Sequence, residues 1–415
     1  MAGERRSSNI ENADVAVRIE DANKWRAVSP GIEGWSRTAR PGDDAKFLMV
    51  SADSHANEPP DLWLTRMDKK FHHRLPRIVE RPDGLAQVTE GFRALSLRDT
   101  PLDGEDLRRG KAGRSAEERL VDQDLDGIDA EIIFPNKGIS MWATPDSIFA
   151  GAMCRAWNDW AWETFGDHND RLAPMACLAT GDLEGAIKEI DRAATLGFRG
   201  LCLPCTPIFG HSDPENPNYN LPVYDRLWAC IQDHDLPITF HIGTGRDPRG
   251  ARGHGGAIIN YAVHAMPPAM EPMANLCCSG VLERFSKLKF AIIEAGIGWV
   301  PWALESMDES YRKHHMWVRP TLSMLPSEFF KKHGFASFQE DPAGLDLARK
   351  HDLVDNFLWA NDYPHHEGTW PHSAAAIERT MGDLDEEERA KILGLNAAKL
   401  FKFDIPAKDI KVARH

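Results

Sequence analysis

Four short segments carry residue types that could bind a metal ion, each at the end of an apolar run. Val50-Ser51-Ala52-Asp53-Ser54-His55 ends in a carboxylate and an imidazole two residues apart. Because strand side chains alternate between faces, Asp53 and His55 would share one side and could bind one ion or flank two. Phe240-His241-Ile242-Gly243-Thr244-Gly245 sets an imidazole ahead of glycines that let the chain turn tightly. Phe290-Ala291-Ile292-Ile293-Glu294 and Trp359-Ala360-Asn361-Asp362-Tyr363-Pro364-His365 each bring a carboxylate out of apolar surroundings, where an unpaired charge is costly. Taken singly, each has a plain reading: His241 as a hydrogen-bonded core histidine, Asp362 as a turn former before Tyr363-Pro364, Asp53 and His55 as the start of a loop. Together they are hard to obtain by accident, and they point to a metal site.

The elements that must position them follow from hydrophobic pattern. Short apolar runs at 46–55, 128–136, 172–180, 198–205, 237–245, 289–296, 335–339 and 357–365 read as eight buried strands. Helical patterns lie between most of them, at Asp146–Asp167, Leu183–Leu196, Val223–Asp235, Met266–Phe285, Val300–Lys313 and Leu345–His351, and Ser373–Met381 and Glu386–Phe401 follow the last. This α/β alternation predicts a (β/α)8 TIM barrel, whose active site lies at the C-terminal strand ends, where the candidate ligands stand. The expected organisation is a polar N-terminal arm over 1–45, a barrel domain over 46–403 and a tail over 404–415. Residues 56–127 form a long insertion after the first strand, either a functional lid or, in its Arg-rich stretch 93–119, an exposed arm.

Of 415 residues, 42% are hydrophobic and 27% charged, enough for a full core. The net charge of -14 argues against a nucleic-acid partner and leaves a small-molecule substrate as the expectation. Seven cysteines without a framework of spacings read as reduced thiols. No apolar stretch reaches the ~18 residues that span a bilayer, and no leader pattern opens the chain, so no membrane association and a cytoplasmic location are expected. The polar arm suggests a homodimer.

At the segments that carry the candidate ligands, the chain resembles the amidohydrolase superfamily, in particular the amidohydrolase-related branch with aminocarboxymuconate-semialdehyde decarboxylase and the resorcylate-type decarboxylases. The resemblance runs from about Met49 to Phe401 and is carried by SADSHANEPPDLW at 51–63, PITFHIGTG at 237–245, SGVLERFSKLKFAIIEAGIGWVPW at 279–302 and LWANDYPHHEGTWPHS at 358–373. It implies a metal-dependent enzyme with a His-x-His or Glu-x-His pair ending the first strand, a His ending the fifth and an Asp the eighth. Here these positions hold Asp53, His55, His241 and Asp362. Asp53 departs from the pattern, and as a short, hard oxygen ligand it leaves open zinc, iron or manganese, and one ion or two. The resemblance also implies an acid–base histidine after the fifth strand, best matched by His264, whose plain alternative is packing at a helix start. Glu58 and Glu294 could serve a second ion ~3.5–4 Å from the first, sharing a hydroxide with it.

His365, His366 and Glu367 follow Asp362, and His365 could orient a ligand through a hydrogen bond. Arg246 could meet a substrate carboxylate or pair with Asp247, and Trp63, Trp142, Trp299 and Trp370 could line an aromatic pocket or simply pack. The many acids tilt the expectation toward a two-ion hydrolase of an amide, ester or thioester of a small apolar or aromatic acid. In that reading Asp362, His264 and Glu294 serve the reaction. The alternative is a non-oxidative decarboxylase of an aromatic or unsaturated acid, with Asp362 or His264 protonating the carbon that loses carbon dioxide. A hydratase or carbon–carbon hydrolase is compatible. A non-catalytic metal-binding barrel is disfavoured, because structural metal sites are closed and Cys-rich.

Overall fold

Each of the eight apolar runs forms a strand. The computed structural model describes residues 47–81, 84–88, 95–96, 112–209, 217–245, 251, 253–314, 316–365 and 368–405. The strands are β1 (Val50–Ala56), β2 (Ala130–Pro135), β3 (Leu172–Pro174 continuing as Ala176–Cys177), β4 (Leu201–Leu203), β5 (Ile238–His241), β6 (Phe290–Ile293), β7 (Gly334–Phe338) and β8 (Phe357–Trp359). All neighbours pair in parallel, and only Phe335 among their residues is not fully buried. Strands covered on both faces need apolar residues throughout, which is why their sequences run apolar rather than alternate.

Two seams complete the ring. At β3 the strand breaks at Met175, whose N–H turns back to Ile133 O at 3.0 Å while Ala176 N–H bonds forward to Gly200 O at 3.1 Å. Asn158 repairs the break, donating to Cys177 O at 3.0 Å and accepting from Cys177 N at 2.7 Å, so no buried backbone group is orphaned there. Between β8 and β1, Asp362 N–H bonds Asp53 O at 3.1 Å and His55 N–H bonds Tyr363 O at 2.6 Å. The architecture is a (β/α)8 TIM barrel.

The outer layer comprises α1 (Ala116–Asp126), α2 (Ser147–Phe165), α3 (Leu183–Leu196), α4 (Asp225–Asp233), α5 (Met266–Cys278), α6 (Trp299–His314), α7 (Pro326–His333), α8 (Pro342–Lys350) and α9 (Ser373–Met381). Asp146, Asp182 and Asp341 cap α2, α3 and α8 by accepting backbone N–H bonds from the first turn. Trp157, Trp228 and Trp359 are wholly buried between helices and barrel. No described helix is long and apolar enough to cross a membrane.

Some boundaries differ from expectation. The helix expected over Met266–Phe285 stops at Cys278, because Gly280 takes φ 78°, and resumes at Val281–Arg284. Helix α7 was not anticipated, and the insertion holds an antiparallel sheet of Arg77–Arg81, Gly84–Val88 and Leu95–Ser96. The arm over 1–45 and the tail beyond 405 lie outside the described residues.

The C-terminal segment Glu386–Phe401 widens to a π-helical turn at Lys391–Leu395, which seats Gly394 against the entry to β1. A Cβ there would lie 2.1 Å from Leu48 O, so the close approach requires glycine. Gly394→Ala is expected to destabilise the protein by about 1–3 kcal/mol, the usual cost of overpacking, read as a lower midpoint in chemical denaturation.

Candidate metal centre

Backbone irregularities aim the candidate ligands. The β1–β2 register shifts between Ser51 and Ser54, a bulge that re-aims Asp53, and Ser51 Oγ donates to Asp53 O at 2.7 Å. Glu294 and Asp362, just past β6 and β8, take left-handed φ values of 61° and 53°. Such conformations cost energy in residues other than glycine and persist where the surroundings enforce them. Gly368 allows that at Asp362, since a Cβ on it would lie 2.3 Å from Asn361 O and 2.9 Å from Asp362 O.

The side chains meet at the barrel mouth. One ligand atom from each of Asp53, His55, His241 and Glu294 lies within 4.8 Å of the others, and His55 and Glu294 form a second such group with Asp362 and His365. His55 Nε2 is 3.5 Å from Asp53 Oδ1, 3.6 Å from Glu294 Oε2 and 3.4 Å from Asp362 Oδ1. His241 Nε2 is 3.3 Å from Asp53 Oδ1 and 3.2 Å from Glu294 Oε2. The Nδ1–H groups of His55 and His241 donate to Pro135 O at 2.9 Å and Ile242 O at 2.7 Å, which leaves both Nε2 lone pairs facing the common point.

Without a cation this arrangement is strained electrostatically. Burial, then the neighbouring Asp362, pushes the Glu294 carboxyl well above the usual carboxylate range. Burial, then His365 and His241, holds His55 well below the usual imidazole range. At His241 burial disfavours the charged form, yet Asp53 and Glu294 prevail and push it up to about 10. Asp53 Oδ2 and His55 Nε2 are buried without a hydrogen-bond partner. Oxygen and imidazole donors in this mixture fit a divalent cation such as zinc, iron or manganese.

His365 lies closer to this chemistry than its sequence position suggested. It stacks on His55 with ring centroids 4.0 Å apart and is 23% exposed. Asn57 Nδ2 donates to Ala112 O, so Asn57 Oδ1 accepts from Asn136 Nδ2, and Asn136 Oδ1 in turn accepts from His365 Nε2–H at 3.2 Å. That chain fixes His365 Nδ1 as the atom facing Asp362 Oδ1, 3.1 Å away.

Other expected residues sit elsewhere. The Glu58 carboxylate accepts N–H bonds from Asn136 at 2.9 Å, Lys137 at 3.2 Å and Gly138 at 2.9 Å, and is engaged with that loop rather than with the donor cluster. Burial raises its pKa to about 7 despite those bonds. His264 ends a π-helical turn, bonds Asn260 Oδ1 through Nδ1 at 3.0 Å and is not among the clustered residues. Trp299 donates to Ala295 O and Gly296 O, bracing the turn after Glu294. Trp63 is half-buried against the core, Trp142 donates to Leu178 O, and Trp370 is buried edge-on to Tyr363. Arg246, Asp247, His366 and Glu367 lie outside the described residues.

Sequence reading missed the support behind the centre. Arg119, for which one reading was an exposed arm, is fully buried, paired with Glu131, and donates to His55 O at 2.7 Å and Ser54 Oγ at 2.8 Å. From the same helix Asp122 accepts from Tyr363 O–H at 2.7 Å, and Asp126 accepts from Asn361 Nδ2 at 3.2 Å and Ser373 N–H at 3.1 Å. Helix α1 thus holds β1 and β8 together at the ligands. Arg119→Met strands the Glu131 charge and is expected to cost about 3–5 kcal/mol in denaturation, whereas loss of a surface arginine would cost almost nothing.

Comparison with known proteins agrees with the barrel fold. The chain superposes on an amidohydrolase, map2389c, from Mycobacterium avium subsp. paratuberculosis K-10 with TM-score 0.67 and 19% identity, over 88% of this chain and 99% of that one. For 5-carboxyvanillate decarboxylase LigW from Sphingomonas paucimobilis the TM-score is 0.61 at 21% identity, over 86% and 100%. For a dihydroxybenzoic acid decarboxylase from Polaromonas sp. JS666, solved with manganese and 2-nitroresorcinol, it is 0.58 at 20% identity, over 86% and 97%. Among curated proteins none matches the chain in sequence. The amidohydrolase family model matches residues 71–403, well over half of the chain, and the protein therefore belongs to the amidohydrolase family, a metal-dependent enzyme family.

Proposed function

We propose that the chain is a metal-dependent, non-oxidative decarboxylase of a hydroxylated aromatic carboxylic acid. The observation that carries this reading is the convergence of Asp53, His55, His241 and Glu294 on one ion-sized point with the Asp362–His365 pair beside it, while Glu58 is engaged elsewhere. The expectation of a two-ion hydrolase drew on both Glu58 and Glu294 serving a second ion, and the engagement of Glu58 with the 136–138 loop weakens it. Similarity in fold to decarboxylases of carboxyvanillate and dihydroxybenzoate supports the same reading.

In this proposal Asp53, His55, His241 and Glu294 hold the cation. When bound, the cation supplies a Lewis acid that binds and polarises substrate oxygens. Asp362, backed by His365, donates a proton to the ring carbon that carries the carboxylate. As the bond from that carbon to the carboxylate breaks, its electron pair stays on the ring carbon, the proton completes the new C–H bond and carbon dioxide leaves. His365, partly exposed and held by Asn136, returns a proton from solvent to Asp362. Burial of the clustered side chains excludes bulk water and strengthens each of these interactions.

Protein loaded with manganese and given 2,6-dihydroxybenzoate or 5-carboxyvanillate in deuterated water should release carbon dioxide and place deuterium on the vacated carbon. Asp362→Asn should lower that rate by at least about 100-fold, the usual contribution of a general acid. Hydrolysis of aryl esters, amides or thioesters with no carbon dioxide from any hydroxylated aromatic acid would instead establish the hydrolase.

The single-ion arrangement has its own test. Manganese-replete protein should hold one equivalent per chain, and His55→Ala and His241→Ala should each lose it with circular dichroism unchanged. Two equivalents, both lost in His55→Ala, would restore the two-ion centre.

A further inference from the structure

A second cluster of ligating atoms lies away from the barrel mouth, on the outer helices. Cys230 and His234 are four residues apart at the C-terminal end of α4, so both side chains share one helix face. Asp191 projects from α3 beside them. His234 Nε2 is 2.8 Å from Asp191 Oδ1, Cys230 Sγ is 3.7 Å from the same oxygen, and all three ligand atoms lie within 4.8 Å of one another.

We propose that Asp191, Cys230 and His234 form a peripheral binding site for a thiophilic divalent cation such as zinc, independent of the reaction at the barrel mouth. Metal–sulfur bonds of about 2.3 Å and metal–nitrogen or metal–oxygen bonds of about 2.0–2.1 Å place tetrahedral donors roughly 3.3–3.5 Å apart. The observed separations bracket that range. The side chains of His234 and Asp191 are 34% and 61% exposed, so both can adjust by a few tenths of an ångström without disturbing the core. Three protein donors leave the fourth position to water. A surface His–Asp hydrogen bond alone would need neither a thiol nor its placement one turn before the histidine.

The ligand set also separates this site from the barrel centre. A thiolate with imidazole selects soft or borderline ions, whereas the carboxylate-rich centre accepts hard ones. Because α3 and α4 are consecutive outer helices, a cation bound here ties one to the other on the outside of the barrel.

Cobalt(II) reads the site directly, since a thiolate ligand adds a charge-transfer absorption that carboxylate and imidazole ligands lack. Titration of the full-length protein should raise this absorption to saturation at one equivalent beyond the one that the barrel centre takes up. Asp362→Ala, which disturbs only the barrel centre, should keep it. Cys230→Ser should abolish it, and His234→Ala should weaken cobalt binding at least tenfold. Thermal unfolding in metal-free buffer should be closely similar for wild type, Cys230→Ser and His234→Ala, since His234 is exposed and serine nearly matches the size of the half-buried Cys230. Absence of the absorption at saturating cobalt, or its persistence in Cys230→Ser, would overturn the proposal.

Discussion

The rest of the structure depends on the burial of ionisable groups at one point. Asp53, His55, His241, Glu294 and Asp362 meet where side-chain exposure is between 0% and 7%, and such groups are stable together only if a cation or shared protons balance them. Each departure from regular geometry serves that meeting: the bulge in β1, the left-handed backbone at Glu294 and Asp362, and the two imidazoles oriented by backbone carbonyls. Energy held in these features is supplied by the apolar barrel around them.

The same constraint explains the character of α1. Its buried residues are Ala116, Arg119, Asp122, Gln123 and Asp126, so the face turned inward is polar. A buried arginine is tolerable only when its donors are satisfied, and Arg119 spends them on Glu131, Ser54 Oγ and the His55 and Gly113 carbonyls. Glu58 plays a related part on the other side, tying the 136–138 loop to the end of β1. Through Asn57 and Asn136 that region also sets the orientation of His365. The insertion after β1 therefore includes a helix that is part of the support for the ligands.

Hydrolysis and decarboxylation can share one barrel and one set of ligand types, because both need an electrophilic cation and a proton donor. What separates them is whether a second ion can sit beside the first, and which group faces the substrate with a proton. In this protein Glu58, one of the two acids expected to serve a second ion, is bonded to backbone, and the Asp362–His365 pair stands beside the centre with His365 partly exposed.

The sequence by itself determined the barrel and which polar residues stand at its strand ends. Strands buried on both faces must be apolar along their length, so polar residues at their ends stand out at Asp53, His55, His241, Glu294 and Asp362. It did not reveal that Arg119, Asp122 and Asp126 are interior, because hydrophobic periodicity reads a polar helix face as solvent-facing and cannot register burial satisfied by hydrogen bonds. Nor could it separate Glu58, engaged with a loop some eighty residues away, from Glu294, which joins the centre. Local sequence carries which face a side chain takes, whereas the partner it meets is set by contacts between distant segments, and only the tertiary structure decides those.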